Sequence, residues 1–190
     1  MTFDVHNVAA FENAFRCPST NLDAVPLFVE HFARLLRYEK LCVVSPDIGG
    51  AKRAEQFRRA LAAEIHDEPM AAFVEKRRSG GVVTGELLVG EVRDRAVIIF
   101  DDLISTGTTL QRAARRCREA GATRIFASGD PRRLHGAAPA VLADPLFEGI
   151  AVTDTVRSIA AAAGRLPDSI VHLDSTKLVA DAIMVAHTGR

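Results

Sequence analysis

Asp101 and Asp102 stand side by side at the end of an apolar run, and Ser105, Thr106, Gly107, Thr108 and Thr109 follow closely, in the stretch VIIFDDLISTGTTL (97–110). Two adjacent carboxylates repel an anion, but they suit sugar hydroxyls or a hard cation such as Mg²⁺. Hydroxyls around a glycine at the start of a helix do the opposite. Their O–H groups and the free backbone N–H groups make a nest for a phosphate monoester. One molecule that satisfies both halves is a pentose phosphate. The competing reading is a helix capped after a strand, with the aspartates serving as caps. A cap needs one acid and no hydroxyl cluster, so the pattern favours a ligand site.

These residues need elements to hold them. The runs LCVVS (41–45) and AVIIF (96–100) are short and unbroken, as in strands buried on both faces. Further strands are predicted at 70–77, 124–129, 149–154 and 169–174, and VVTGELLVG (82–90) reads as a hairpin arm or a ribbon. Helices are predicted over 23–38 with Asp23 as N-cap, over 51–64, from Thr108 to Ala120 with Gly121 as the stop, and over 175–187. Strands alternating with helices imply a mostly parallel sheet covered by helices on both faces. In such sheets ligands bind beyond the carboxyl ends of the strands, where Asp101 and Asp102 fall.

The 190 residues suit one α/β domain, and an apolar fraction of 48% can bury a core. Lys+Arg and Asp+Glu both number 24, so no basic surplus marks a general nucleic-acid binder. Cys17, Cys42 and Cys117 show no zinc or CxxC spacing, and a reduced cytoplasmic chain with cysteines as core filler is expected. No apolar run approaches the roughly 18 residues of a spanning helix, so no membrane is expected, and the start shows no signal-peptide pattern. His31, His66, His172 and His187 have no ligand spacing.

The 97–110 stretch resembles the phosphoribosyl pyrophosphate motif of type I phosphoribosyltransferases and of ribose-phosphate diphosphokinases. Four further stretches resemble the diphosphokinases in particular: VVSPDIGGAKRA (43–54), EKRRSGG (75–81) with ELLVGEVRDR (86–95), DVHNVAAFENAF (4–15) and VTDTV (152–156). The resemblance runs in order over the whole chain and corresponds to the C-terminal part of a diphosphokinase. It implies a type I phosphoribosyltransferase-like fold in a single domain, 1–190. Residues 1–22 are then expected to be the remnant of the end of an absent N-terminal half, which in the family contributes much of the ATP-binding surface. Two departures stand out. STGTT carries hydroxyls where many diphosphokinases have a small residue and glycine, which drifts toward the transferase form. Gly129-Asp130 stands where the family usually has a Thr-His pair.

The resemblance implies a transfer of diphosphate from ATP to ribose 5-phosphate, giving phosphoribosyl pyrophosphate, with Mg²⁺ as cofactor and a homo-oligomeric assembly. Asp101, Asp102 and residues Ser105, Thr106, Gly107, Thr108 and Thr109 would hold ribose 5-phosphate. Lys76 and Arg78 would be catalytic, as cations on the transferring group in a mobile loop. Asp47, Gly49 and Gly50 would form the pyrophosphate turn, with His6 and Asp47 as metal ligands. Bland readings stand beside these: a solvated basic turn at 75–81, a surface histidine, and glycines that merely start a helix. Arg132, Arg133 and His135 read more as a solvated loop than as substrate contacts. Two alternatives stay open: a phosphoribosyltransferase acting on a base, and a non-catalytic phosphoribosyl-binding partner protein.

Overall fold

The computed structural model describes residues 1–79, 82–130, 138–155, 167 and 169–189, without the side chains of 76–79 and 82–85. Arg132, Arg133, His135 and Val156 of the sequence candidates, with Gly80 and Gly81, lie outside the described residues.

The chain runs β1 (Thr2–Phe3), α1 (Val8–Ala14), β2 (Asn21–Leu22), α2 (Val25–Leu35), β3 (Leu41–Ser45), α3 (Ala51–Ile65), β4 (Met70–Ser79) and β5 (Val82–Val89). It continues through β6 (Ala96–Leu103), α4 (Thr108–Glu119), β7 (Arg124–Asp130), α5 (Ala138–Leu142), β8 (Gly149–Thr153), β9 (Ile170–Leu173) and α6 (Thr176–Thr188). Seven strands form one sheet in the order β5-β4-β3-β6-β7-β8-β9, and β1 and β2 pair separately. Every pair in the large sheet is parallel except β4 with β5. The 82–90 stretch is thus the second arm of an antiparallel hairpin, which caps one edge of an otherwise parallel sheet.

Strand alternation divides the core into two layers. Val97 and Ile99 of β6 face α4 and α5, packing with Leu110, Ala113, Cys117 and Leu142. Ile98 and Phe100 face α2 and α3, packing with Phe28, Phe32, Phe57 and Leu61. The Phe57 ring stacks on Phe100 at 4.3 Å, and Phe28 meets Phe100 edge-on at 5.5 Å. β6 therefore needs apolar residues at every position until it emerges at Asp101, which is why its sequence shows no alternation.

Most element ends shift by one to three residues from expectation, and three of the shifts have a visible cause. Asp23 is not the N-cap of α2; Ala24 takes that position, while Asp23 Oδ1 accepts the Val25 N–H at 2.8 Å. β6 extends through both aspartates to Leu103, because Leu103 still pairs with Asp130 of β7. β4 extends to Ser79, carried by pairing with β5 across a register shift between Arg77 and Arg78. Gly121 does stop α4, in left-handed backbone with φ +96°. Of the cysteines, Cys42 and Cys117 fill the core but Cys17 is exposed, since it follows the short α1, which buries nothing.

A candidate sugar-phosphate site

The site forms where β6 leaves the sheet. Between Phe100 and Leu103 the register against β7 slips: three steps on β6 match two on β7, from Ser128 to Asp130. This is a β-bulge with its extra residue at the aspartate pair. Neighbouring residues of a regular strand point to opposite faces. The bulge breaks that rule, and both Asp101 and Asp102 line one cavity of about 570 Å³. Gly129, across the ladder, makes room for it. A Cβ there would lie 2.9 Å from Ile104 Cγ1 and 3.0 Å from the Asp101 carbonyl oxygen.

Beyond the bulge, Gly107 begins α4 with φ +76°, a conformation that favours glycine. Its Cβ would press on Val141 and Leu142 of α5, at 3.0 and 3.2 Å from their side chains. No side chain caps the start of α4, so its first-turn N–H groups lack the partner that a cap would supply. Thr106 and Thr108 join their hydroxyls at 2.9 Å. Ser105, Thr106, Gly107 and Thr109 surround a small hollow of about 60 Å³, also lined by Asp101. Donors and a helix N-terminus around a compact hollow fit an anion. Asp101 thus borders both the hollow and the larger cavity.

The far wall of the cavity comes from α3 and the chain's first residues. The turn before α3 contributes Asp47, Gly49 and Gly50. Asp47 Oδ1 accepts the Gly50 N–H at 3.0 Å, and Ser45 Oγ donates to the Asp47 carbonyl at 2.6 Å, so the turn is held from both sides. Gly50 is the N-cap of α3. His6, far more exposed than its partner, contacts Asp102 Oδ2 through Nδ1. Arg53, which the sequence reading passed over, sits on α3 between Asp4 and Asp102; Lys52 also reaches the cavity. Their signal was present in GGAKR, two cations one helical turn from a glycine turn.

Burial pushes the Asp101 carboxyl up to about 7, reinforced by its neighbour Asp102, despite the Asp102 N–H that donates to Asp101 Oδ1 at 2.9 Å. Burial acts on Asp102 in the same sense, but hydrogen bonds from His6 and Asp101 and the charges of His6 and Arg53 outweigh it. Asp102 ends below the ordinary carboxylate range. The pair thus splits into one proton-holding and one ionised acid, the arrangement expected of like charges in contact.

Lys76 and Arg78 lie on β4, paired with Glu86 and Val83 of β5. They occupy strand positions rather than a turn, and their side chains lie outside the described atoms. Asp101, Asp102, Asp47, Gly49, Gly50 and His6 do meet around one cavity. His6 and Asp47 share that cavity, but among the described residues no three His, Cys, Asp or Glu side chains converge as a metal cage. Mg²⁺ commonly binds through one or two carboxylates, with water and substrate phosphates completing its shell. The oxygen donors of Asp101 and Asp102 match that habit.

This architecture, with a bulged acidic strand end beside a glycine and hydroxyl loop, is an α/β domain whose mostly parallel sheet is covered by helices on both faces. The phosphoribosyl transferase domain family matches residues 24–127, and the chain belongs to that family. A protein of Streptococcus agalactiae serotype V is 36% identical over 188 residues, covering 98% of this chain and 55% of its own length. The ribose-phosphate pyrophosphokinase of Ralstonia nicotianae is 35% identical over 169 residues, covering 87% of this chain and 51% of its own. That of Haemophilus ducreyi is 32% identical over 190 residues, covering 100% and 56%. The crystal structure of phosphoribosylpyrophosphate synthetase from Mycobacterium smegmatis superposes with a TM-score of 0.83 at 27% identity, over 99% of this chain and 58% of that one. The chain spans about half the length of the curated relatives it matches.

Proposed function

We propose that this chain binds ribose 5-phosphate and takes part in transferring the diphosphate of ATP to it, as a ribose-phosphate diphosphokinase. The observation that carries this reading is the position of Asp101, which borders both the compact hollow at α4 and the large cavity. A ribose 5-phosphate lodged there places its phosphate on the α4 N-terminus and its ring hydroxyls on the two carboxylates. The names of the relatives from Ralstonia and Haemophilus and of the Mycobacterium structure support the choice of reaction.

In the proposed reaction the ribose 1-hydroxyl attacks the β-phosphorus of ATP. The new O–Pβ bond forms as the bond from Pβ to the α–β bridging oxygen breaks, AMP leaves with that oxygen, and the hydroxyl proton passes to solvent. The protein's part in such a transfer is position and charge. Asp102, held ionised, accepts hydrogen bonds from the ribose hydroxyls; Asp101, which holds its proton up to about pH 7, can also donate one. Ser105, Thr106, Thr108 and Thr109 donate to the 5-phosphate. Lys76 and Arg78 neutralise charge on the transferring group, a role that rests on family resemblance. Mg²⁺ would be held by the Asp102 carboxylate, and by Asp101 once the metal displaces its proton, with His6 and Asp47 on the same cavity, and it would supply charge neutralisation to the transferring group.

The same reading takes ATP and ribose 5-phosphate as partners, a homo-oligomer as the assembly and the cytoplasm as the setting. Among the described residues no helix is long and apolar enough to cross a membrane. The test is AMP formation from ATP and ribose 5-phosphate with Mg²⁺, run beside pyrophosphate release from phosphoribosyl pyrophosphate with free bases. AMP formation that falls by at least about tenfold in Lys76→Ala, at unchanged ribose 5-phosphate affinity, is the expected result. Pyrophosphate release with a base and no AMP would replace it with the transferase reading. Binding without either product would leave a phosphoribosyl-binding partner protein.

A further inference from the structure

Arg53 spans the cavity wall between two carboxylates that come from distant parts of the chain. One guanidinium nitrogen, Nη2, donates to Asp4 Oδ1, and Nη1 lies 3.8 Å from Asp102 Oδ2. Asp4 is a fixed post. It is 5% exposed, its backbone is left-handed with φ +51°, its N–H donates to the Leu22 carbonyl at 2.7 Å, and its Oδ1 also accepts the Ala24 N–H at 3.4 Å. Asp102 is the opposite case. It sits on the bulge, where the ladder that would set its direction is interrupted. Arg53 itself is largely shielded, with a side chain 24% exposed, so solvent ions screen its contacts less than those of a surface pair.

We infer that Arg53 is a positioning residue for ribose recognition: braced on Asp4, it fixes the direction of the Asp102 carboxylate so that the vicinal hydroxyls of the sugar are read. The planar fork of arginine suits this task because its terminal nitrogens face two carboxylates at a fixed spacing, which the freely rotating point charge of an ammonium group does not impose. His6 contacts the same Asp102 oxygen from the solvent side. Asp102 is therefore held from two directions, and Arg53 is the contact tied to the buried frame. The inference rests on the ribose 5-phosphate reading and adds a discriminating role to it.

A structural ion pair and a positioning residue predict different affinities. Titration calorimetry with ribose 5-phosphate and with 2-deoxyribose 5-phosphate separates them, because only the first carries both hydroxyls. The natural protein is expected to prefer ribose 5-phosphate by about tenfold. Arg53→Ala is expected to bring that ratio close to one while the deoxy sugar binds within about twofold of its original affinity. Arg53→Lys is expected to fall between. Because Arg53→Ala removes a cation from beside the buried Asp4 carboxyl, the pair Arg53→Met with Asp4→Asn provides a folded counterpart, for which the same loss of ratio is expected. An unchanged ratio in either variant, or an equal loss for both sugars, overturns the role of Arg53 and leaves the site assignment standing. Failure of the natural protein to bind either sugar phosphate overturns the ribose reading, and this inference with it.

Discussion

Asp101 is held by forces that oppose each other. Its neighbours need a carboxyl at this point, yet burial disfavours its charge, and the folded chain keeps its proton up to about pH 7 against 3.8 for an ordinary aspartate. Between those two values the folded state binds a proton that the unfolded chain has released. Stability therefore falls as pH rises through this window, and the cost is complete above about pH 7. Asp101→Asn keeps an oxygen that can accept the Asp102 N–H and removes the titration. In metal-free buffer the variant should be more stable than the natural protein at pH 8, by on the order of 1–2 kcal/mol, and the two should converge near pH 4. Denaturant midpoints at both pH values check this. A gap that is equal at the two values would show that burial does not govern Asp101. The same substitution should weaken ribose 5-phosphate binding, which calorimetry reads independently.

At the scale of elements, the bulge in β6 matters more than the strand itself. A regular strand would send Asp101 to one face and Asp102 to the other, and no single ligand could use both. Gly129 of β7 is the residue that admits the bulge, because any side chain there would meet Ile104 and the Asp101 carbonyl. Gly129→Ala should destabilise the fold by about 1–3 kcal/mol, since Ile104 and the strand backbone must both give way. It should also weaken ribose 5-phosphate binding, although residue 129 is absent from the lining of either cavity. Urea denaturation and calorimetry on one preparation test both statements. Loss of stability with unchanged affinity would mean that the carboxylates keep their aim without the bulge. Gly129 also gives a physical account of one departure from the family pattern, the small residue that stands ahead of Asp130.

Across the whole molecule, the sheet separates two apolar layers of different character. The α2–α3 layer is built on Phe28, Phe32, Phe57 and Phe100, while the α4–α5 layer is built on smaller side chains and contains Cys42 and Cys117. Burial raises both of these thiols to about 12, so neither offers a thiolate at neutral pH. Cys17 is exposed. A thiol reagent should therefore modify one cysteine quickly in the native protein and the other two only on unfolding. Peptide mapping after brief labelling identifies the first as Cys17. Rapid labelling of all three in native buffer would mean that the α4–α5 layer opens readily.

The chain's own residue order was enough for the alternation of strands and helices, for β6 as a central strand, and for the acid pair followed by a hydroxyl and glycine loop. These are local properties: apolar runs, hydroxyl clusters and glycines act over a few residues, and their spacing is visible without a fold. The antiparallel edge hairpin, the bulge at Asp101 and Asp102, and the contact of Asp4 and His6 with residues nearly fifty and a hundred positions away were not visible in that way. Arg53 escaped notice for the same reason, since its partners are assigned only when α3, the first strand and the end of β6 close on one another. Such contacts depend on how the chain folds back on itself, and proximity in space between distant residues is decided by packing, not by their order.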